Sequence, residues 1–367
     1  MDIAMKKIIY LFLIWRILLF VVVYLAPFFL HSNFGKSFPY WQERLIGSGL
    51  PHFIWSFGNF DGVHYLGIAK DAYSAQFTQA FFPLYPILVK IVSFVTFGNF
   101  VVAGLLVSNL AFLAALILFY KLIAKTHSEK IALWSTLFLL AFPTSFYFGA
   151  IYTEGLFFLM IVAAFYLAEQ KKFWQAAIVG SLASSTRLIG LFLTPFIVSW
   201  KNLKSALPAL IVPIGFLTYV LYLKIQFNNP FYFLWAQSIF GQERSVGSII
   251  LLPQVIYRYL KILSTVAGQP FINAVLELSS TIIALTLLIF AIRIVKLPWI
   301  LFGFAAIIIP TLTGTFASMP RYILVAFPIY IALAQIKSTS LKVTLLIISL
   351  SLLVYLTALF TQGYWVA

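Results

Sequence analysis

Long apolar runs, separated by short clusters of basic residues, form most of the chain. The first run, IIYLFLIWRILLFVVVYLAPFFL, covers residues 8–30 and exceeds the roughly 20 apolar residues that a helix needs to cross a bilayer. The runs do not alternate between polar and apolar positions, as the strands of a membrane barrel would. The pattern therefore predicts an all-α polytopic membrane protein. The predicted spans are 8–30, 101–122, 131–148, 153–170, 206–226, 274–295, 299–316, 322–336 and 341–360.

Two further apolar segments do not fit a simple crossing. In residues 84–97, Lys90, Ser93 and Thr96 recur at helical spacing, which predicts an amphipathic helix lying at the outer membrane interface. Residues 173–200 begin and end near lysines but are short for two crossings, so a broken or re-entrant hairpin is favoured. Such backbone is stable at membrane depth only where protein or a wet cavity surrounds it. With these segments we expect a bundle of about 9–11 transmembrane helices.

Basic residues indicate the orientation. Lysines and arginines that flank membrane spans favour the cytoplasmic side, and placing every cluster there gives one continuous path with a cytoplasmic N-terminus. This path leaves two long non-cytoplasmic segments, about 31–100 and 227–273, while all cytoplasmic loops are short. The compact loops favour a prokaryotic plasma membrane, and residues 1–367 are interpreted as one integral-membrane domain. The clusters are Lys6 and Lys7; Lys121, Lys125 and Lys130; Lys171 and Lys172; Lys201 and Lys204; Arg293 and Lys296; and Lys337 and Lys342.

Composition narrows the classes of function. The chain has no cysteine, which excludes disulfides, thiolate nucleophiles and zinc–thiolate sites. Its net charge is +15, but lysines clustered between apolar runs are typical of cytoplasmic loops, so nucleic-acid binding is not expected. Most acidic residues fall at the outer side of the predicted path or at its edge, so carboxylate chemistry belongs there. These outer residues are Glu43, Asp61, Asp71, Glu154, Glu243 and Glu277, whereas Asp2, Glu129 and Glu169 fall inside.

The stretch FDGVHYLGIAKDAY, residues 60–73, is unusually polar for this chain. Its residues with the i, i+3, i+4, i+7 spacing of one helix face are Asp61, His64, Tyr65 and Ile68. A helix that starts here would present this mixed face at the membrane surface. Asp61 is either the N-cap of that helix or a catalytic carboxylate, and the two roles are compatible because a cap leaves one oxygen free. An Asp-x-x-His pair supplies only two metal ligands, so no metal is expected.

Three other polar residues stand beside or within apolar segments. Glu154, at the start of a predicted span, either favours the helix dipole behind a Thr153 cap or binds sugar hydroxyls. Arg187 and Arg321 lie in apolar stretches, where an arginine costs about 2.5–3.5 kcal/mol on insertion scales. Such arginines either pair with a carboxylate, here Glu154 or Glu277, or bind an anionic headgroup such as a lipid phosphate. No Gly-rich phosphate loop or G-x-S-x-G turn supports a nucleotide-sugar or ATP site.

Five motifs occur in order along residues 60–330. The first joins FDGVHYLGIAKDAY to AFFPLYPILVK, and the others are FPTSFYFGAIYTEGLFFL, STRLIGLFLTP, FNNPFYFLWAQ and SMPRYILVAFP. Together they resemble the PIG-V type mannosyltransferases, which are membrane glycosyltransferases of the GT-C superfamily. Two positions depart from that family's pattern. Phe60 stands where a tryptophan is expected before the aspartate, and Gly155 replaces a serine after the glutamate.

The resemblance implies a GT-C-like bundle that transfers a hexose, usually mannose, from a polyprenyl-phosphate donor to an acceptor hydroxyl on the non-cytoplasmic face. It also implies that Asp61 is the catalytic residue. Asp61 could then act as the base of an inverting reaction, for which no cofactor is expected, although a metal is not forbidden. The residues then expected to bind substrate are Arg187, Arg321, Glu154, His64, Tyr65 and Gln237.

The partners expected from this resemblance are the lipid-linked sugar, an acceptor that is a glycan, lipid or protein, and the lipid bilayer. Two alternatives remain open. One is a ligase or polymerase of lipid-linked glycans with the same architecture. The other is a transporter or flippase for an anionic lipid-linked substrate, because broken helices and intramembrane arginines also mark transport pathways.

Overall fold

Helices joined by short turns account for most of the chain. The computed structural model describes residues 3–34, 38–201, 203–239, 244–245 and 247–366, and these ranges contain no strand. Asp2 and Glu243 lie outside the described residues. The α-helices are α1 (Ile3–Phe29), α2 (Trp41–Arg44), α3 (His52–Trp55), α4 (Asp61–Asp71), α5 (Leu84–Ser93), α6 (Phe100–Thr126), α7 (Glu129–Ala141), α8 (Glu154–Glu169), α9 (Phe173–Ser184), α10 (Leu203–Ala206), α11 (Val212–Phe227), α12 (Tyr232–Ile239), α13 (Leu252–Thr265), α14 (Gln269–Ala291), α15 (Leu297–Thr311), α16 (Met319–Tyr322), α17 (Pro328–Ala334) and α18 (Thr339–Thr361). Short 3-10 helices cover Ile46–Ser48, Ser56–Gly58, Thr78–Ala80, Ser145–Phe148, Leu188–Leu193, Leu207–Ile211 and Ile323–Val325.

Some of these helical runs are long and apolar enough to cross a membrane. In the described residues there are five, and each overlaps a predicted span. Large apolar side chains such as Tyr24, Leu110 and Ile347 are exposed on them, as expected for surfaces that contact lipid rather than water. The five runs are Ile3–Phe29, Phe100–Thr126, Leu203–Phe227, Gln269–Ala291 and Thr339–Thr361.

Prolines shorten two of the other predicted spans. The span predicted over 131–148 is shorter in the structure, where α7 ends at Ala141. The helix ends there because Phe142 takes the extended conformation that the following proline favours. A 3-10 helix continues the path afterwards. The continuous span predicted over 322–336 is wrong, since α16, a 3-10 helix and α17 follow one another there. Pro328 is the first residue of α17. A backbone N–H at this position would have no acceptor within the helix, so the N–H that proline lacks costs no hydrogen bond.

Neither of the two unusual apolar segments forms a helix long enough to cross a bilayer. With 10 residues, α5 is about 15 Å long and cannot cross a bilayer. Its predicted polar stripe is wrong, because Ser93 is buried and its hydroxyl donates to the Lys90 carbonyl, whereas Ile87 and Ile91 are exposed. The segment 173–200 is broken, as predicted. It consists of α9 followed by the 3-10 helix Leu188–Leu193 and turns.

The bundle has two chemically different ends. Glu169 pairs with Lys296 at 2.5 Å, and His127 contacts the Ile294 carbonyl at 2.9 Å, so three loops predicted to be cytoplasmic meet at what we call the basic end. Glu154 and Glu169 are the first and last residues of α8, which separates them by about 22 Å. Glu154 therefore marks the opposite end, where the candidate site lies.

Candidate active site

Asp61 begins α4 in a backbone setting that the sequence did not indicate. Phe60 occupies the N-cap position with φ 58° and ψ −116°, and the helix has no side-chain cap. The N-cap interpretation of Asp61 is therefore wrong. The expected mixed face at the membrane surface is also wrong, because His64, Tyr65 and Ile68 are all buried. A bulky residue with positive φ is strained, and such strain persists only where the surrounding structure holds it.

Hydrogen bonds from two other parts of the chain fix the start of α4. The Tyr152 hydroxyl donates to the Asn59 carbonyl at 2.8 Å and accepts from the Asp61 amide at 3.2 Å. The Asn59 side chain donates to the Phe360 carbonyl at 2.9 Å, which ties the same turn to α18. A Cβ on Gly62 would lie 3.3 Å from the Ile151 carbonyl oxygen. These backbone contacts thus fix the position of Asp61 independently of the contacts of its side chain.

Four charged side chains form one ion network at this end of the bundle. Arg321 Nη1 donates to Asp61 Oδ2 at 2.5 Å, and Arg321 Nε lies 3.2 Å from Glu154 Oε1. Arg187 Nη1 donates to the same Glu154 oxygen at 3.0 Å. The exposed fractions of the side chains are 1% for Glu154, 8% for Arg321, 16% for Arg187 and 19% for Asp61. Glu154 therefore compensates two guanidinium groups, and Arg321 is shared by two carboxylates.

The pairing interpretation of the two arginines holds for Glu154 but is wrong for Glu277. Glu277 Oε2 instead accepts from the Tyr259 hydroxyl at 2.5 Å. Thr153 precedes α8, but its side chain makes no capping hydrogen bond, so the expected cap is also wrong. Glu154 does lie in the first turn of α8, where a negative charge favours the helix dipole. Its second oxygen, Oε2, is buried and has no hydrogen-bond partner in the described part of the chain.

The packing around Gly155 explains why the chain has glycine after Glu154, where the resembled pattern has serine. A Cβ at this position would lie 2.6 Å from the Phe148 carbonyl oxygen and 2.8 Å from the Ser108 carbonyl oxygen. Protein interiors are close-packed, so a serine would force these backbones apart. Glycine therefore allows α8 to approach α6 and the turn after α7, and this packing sets the position of Glu154.

A cavity of about 1070 Å³ opens beside the ion network. Six residues with an expected role line it: Asp61, His64, Tyr65, Arg187, Gln237 and Arg321. Glu154 does not line it and lies behind the two arginines that it contacts. One part of the wall is apolar and comes from the break after α9, from α12 and from α15. Its members include Leu188, Ile189, Leu234, Ala306 and Ile309.

Two cavity residues were not singled out from the sequence. Arg244 Nη2 donates to the Tyr322 hydroxyl at 3.1 Å, and the guanidinium carbons of Arg187 and Arg321 lie 5.1 and 5.5 Å from the Tyr322 ring centroid. No sequence signal distinguishes Arg244, because the same predicted outer segment also contains Arg258 and Lys261. Tyr322 directly follows Arg321 in the SMPRY motif.

His64 is a neutral polar group in the cavity wall. Its ring stacks on Phe81, with centroids 5.2 Å apart and planes 18° apart. Burial lowers the pKa of His64 to about 4, while the Asp61 carboxylate opposes this shift and Arg44 adds to it. The imidazole is therefore uncharged near pH 7 and can interact with hydroxyl groups. Within the described ranges, no group of three or more His, Asp or Glu side chains could hold a metal ion.

The fold of the chain is similar to that of a protein of known structure. It matches the crystal structure of ArnT from Cupriavidus metallidurans bound to undecaprenyl phosphate, with a TM-score of 0.54 and 13% sequence identity. The match covers 94% of this chain and 62% of the ArnT chain, so the chain spans about three fifths of that protein's length. No curated protein sequence matches the chain.

The sequence matches the model of the Mannosyltransferase (PIG-V) family over residues 5–214, which is more than half of the chain. The chain therefore belongs to the PIG-V mannosyltransferase family. The long apolar helices of the chain make it an integral membrane protein.

Proposed function

We propose that the protein transfers a hexose, with mannose as the first expectation, from a polyprenyl-phosphate donor to an acceptor hydroxyl on the non-cytoplasmic face. The observation that carries this proposal is the composition of one cavity. The cavity combines the Asp61 carboxylate, the guanidinium groups of Arg187, Arg244 and Arg321, and an apolar wall. A lipid-linked sugar phosphate has the matching three parts: a sugar to be attacked, an anionic phosphate and an apolar chain.

The arginines in the cavity wall support an anionic ligand. Arg187, Arg244 and Arg321 line the cavity, and a phosphodiester carries a negative charge of the kind that guanidinium groups bind. Guanidinium groups are well suited to phosphate, because their planar donors match its oxygens. ArnT, the solved neighbour, holds undecaprenyl phosphate, which is a lipid phosphate of this class.

In the proposed reaction, Asp61 acts as the general base. Its Oδ1 atom, which has no hydrogen-bond partner in the described part of the chain, accepts the proton of the acceptor hydroxyl as that oxygen attacks the anomeric carbon. The new C–O bond forms while the bond from the anomeric carbon to the phosphate oxygen breaks, so the configuration inverts. The electron pair leaves on the phosphate, whose charge grows from one to two negative, and the arginines stabilise that increase.

The donor is tested with purified protein and a panel of polyprenyl-phosphate sugars that includes the mannose compound. We expect release of polyprenyl phosphate, measured by mass spectrometry. Asp61→Asn should reduce the rate about 10²–10⁴-fold, the typical contribution of a general base. Asp71→Asn is the matched control, because Asp71 ends the same helix and is exposed. Full activity of Asp61→Asn would exclude the base, and movement of lipid-linked sugar across vesicles without release would favour a flippase.

The face of the membrane is tested by cysteine labelling, which has no background because the chain has no cysteine. Ser74 is exposed and lines the cavity, and Lys130 is exposed in the first turn of α7, at the end predicted to be cytoplasmic. In intact cells, an impermeant thiol reagent should label Ser74→Cys but reach Lys130→Cys only after permeabilisation. The reverse labelling pattern would invert the proposed topology.

A further inference from the structure

The side chain of Tyr322 lies where three guanidinium groups converge on the cavity. Arg244 Nη2 donates to the Tyr322 hydroxyl at 3.1 Å. The guanidinium carbons of Arg187, Arg321 and Arg244 lie 5.1, 5.5 and 5.9 Å from the centre of its ring. Tyr322 is partly exposed and lines the cavity. One phenol is therefore shared by three cations of the cavity wall.

The phenol proton of Tyr322 is available to a ligand. The oxygen accepts the hydrogen bond from Arg244, and in the part of the chain that the structure describes no acceptor takes the Tyr322 O–H. A hydroxyl can accept and donate at the same time. Hydrogen bonds to a charged acceptor are stronger than those between neutral groups. Tyr322 is therefore placed to donate to an anionic oxygen that the arginines bind.

The same cations favour the loss of that proton. Burial raises the pKa of a phenol, but Arg244, Arg321 and Arg187 outweigh burial and lower the pKa of Tyr322 from the ordinary 10.0 to about 7. Near neutral pH the residue therefore exists both as a phenol and as a phenolate. The phenol can donate to a phosphate, whereas the phenolate has no proton to donate and repels an anion. The protonation of Tyr322 and the binding of an anion are thus linked.

Three other ionisable groups lie beside these arginines or in the same cavity wall. Asp61 and Glu154 pair with Arg321. Burial lowers the pKa of His64 to about 4. His64 therefore stays neutral from about pH 6 to pH 9 and cannot supply a proton in that range.

Further ionisable groups lie behind the cavity. Burial raises the pKa of Tyr147, whose ring centre lies 5.7 Å from the Arg321 guanidinium carbon. Glu277 belongs to α14, which packs against α16, and it accepts from the Tyr259 hydroxyl. The other buried tyrosines at this end, whose pKa burial also raises, are Tyr65 and Tyr152. Tyr147 and Glu277 are therefore suitable controls for a titration of Tyr322.

We propose that Tyr322 binds the phosphate of the lipid-linked donor only as a neutral phenol, so that the donor and a proton bind together at alkaline pH. This inference rests on the proposed function. Below about pH 7 the phenol is already present, whereas above it the phenolate must first take up a proton. Donor affinity should therefore be full below this pH and fall about tenfold for each further pH unit.

The first test measures binding without turnover. The probe is farnesyl methyl phosphate, a lipid phosphodiester that lacks the second ionisation of a phosphate monoester, so its charge stays constant. It is titrated into the purified full chain by isothermal titration calorimetry. For wild type, the dissociation constant should rise about tenfold from pH 6 to pH 8, and buffers of different ionisation heat should reveal uptake of about one proton at pH 8. Equal dissociation constants at the two pH values would overturn the proposal.

Tyr322→Phe separates the proton from the ring. The variant keeps the ring among the arginines but has no proton to lose, so its dissociation constant should not change over the same pH range. At low pH it should bind up to about tenfold more weakly than wild type, because one hydrogen bond to the phosphate is missing. A pH dependence as steep as that of wild type would assign the proton to another group and reject the proposal.

Two control variants remove neighbouring groups. Tyr147→Phe removes a buried hydroxyl near Arg321, and Tyr147 does not line the cavity. Glu277→Gln removes the buried carboxylate of α14. Both variants should keep the pH dependence of wild type. Its loss in either one would reject Tyr322 as the linked group.

The absorbance of phenolate measures the ionisation of Tyr322 without a ligand. One of the 19 tyrosines should ionise near pH 7 in wild type, and none should do so in Tyr322→Phe. Saturation with farnesyl methyl phosphate should convert this phenolate back to the phenol. If wild type forms no phenolate below about pH 8, or if the ligand leaves the phenolate unchanged, the proposal is wrong.

The two proposals fail separately. If no polyprenyl-phosphate sugar is turned over but phosphodiester binding follows the protonation of Tyr322, the proposed reaction is wrong and the anion site stands. If a donor is turned over but phosphodiester binding is independent of pH, the reaction stands and the role of Tyr322 is wrong.

Discussion

The two ends of the bundle hold ion pairs of the same chemistry in different surroundings. At the basic end, Lys296 and Glu169 are 47% and 21% exposed. At the site end, Glu154 is 1% exposed and lies between two guanidinium groups. Exposed pairs contribute about 0–1 kcal/mol, because water and salt screen them. A buried pair that loses one partner leaves an uncompensated charge and costs about 3–5 kcal/mol.

This difference separates two roles among the acidic residues. Glu154 is enclosed by Arg187 and Arg321, so it holds those two cations in place rather than facing the cavity. Asp61 also pairs with Arg321, but its side chain reaches the cavity wall. We therefore expect Glu154 to act mainly on stability and on arginine placement, and Asp61 to act mainly on the rate.

The largest effect on stability should follow Glu154→Gln. This change keeps the shape of the side chain but removes the charge that two buried arginines share, so the free energy of unfolding should fall by about 3–5 kcal/mol. Unfolding is measured by denaturant titration in detergent. Glu169→Gln, the same substitution at the basic end, is the control and should cost at most about 1 kcal/mol. Similar losses in the two variants would remove the distinction between the ends.

His64 provides a second test of burial at the site end, through pH. Its pKa of about 4 in the folded chain lies below its ordinary value of 6.5, so between these values the unfolded chain binds the extra proton. Stability should therefore be full above pH 6.5 and fall as pH drops towards 4, by up to about 3 kcal/mol. His64→Gln should flatten this slope, whereas His31→Gln, at an exposed position, should retain it. An unchanged slope in His64→Gln would assign the effect to other groups.

Part of the site could be predicted from the sequence because charges in apolar segments need partners. This reasoning singled out Asp61, Glu154, Arg187 and Arg321 before their contacts were known. It could not choose between Glu154 and Glu277 as the partner, since that choice depends on how α8, α14 and the break after α9 pack. The motif order that resembles the PIG-V family agrees with the match of the family model over residues 5–214.

Other features depended on tertiary packing that local patterns do not report. The mixed polarity of α4 suggested a surface helix, but neighbouring aromatic residues bury it. The prolines at 143 and 328 were visible, yet the apolar runs around them concealed the breaks. Arg244 is far from Tyr322 in the sequence, and only tertiary packing brings its guanidinium group to the Tyr322 hydroxyl in the cavity wall. Trp365 likewise reaches the cavity only through the turn at Gly363.

The smallest effect should follow Lys296→Met at the basic end. The pair with Glu169 is partly exposed, so its loss should cost about 0–1 kcal/mol at low salt and almost nothing at 1 M salt, where the screening length is roughly 3 Å. A double-mutant cycle with Glu169→Gln isolates the pair from the packing of the lysine stem. At the site end, the loss in Glu154→Gln should persist at both salt concentrations because Glu154 is 1% exposed and buried pairs are screened much less than exposed ones. A coupling energy above about 2 kcal/mol at the basic end would mean that burial does not distinguish these ion pairs.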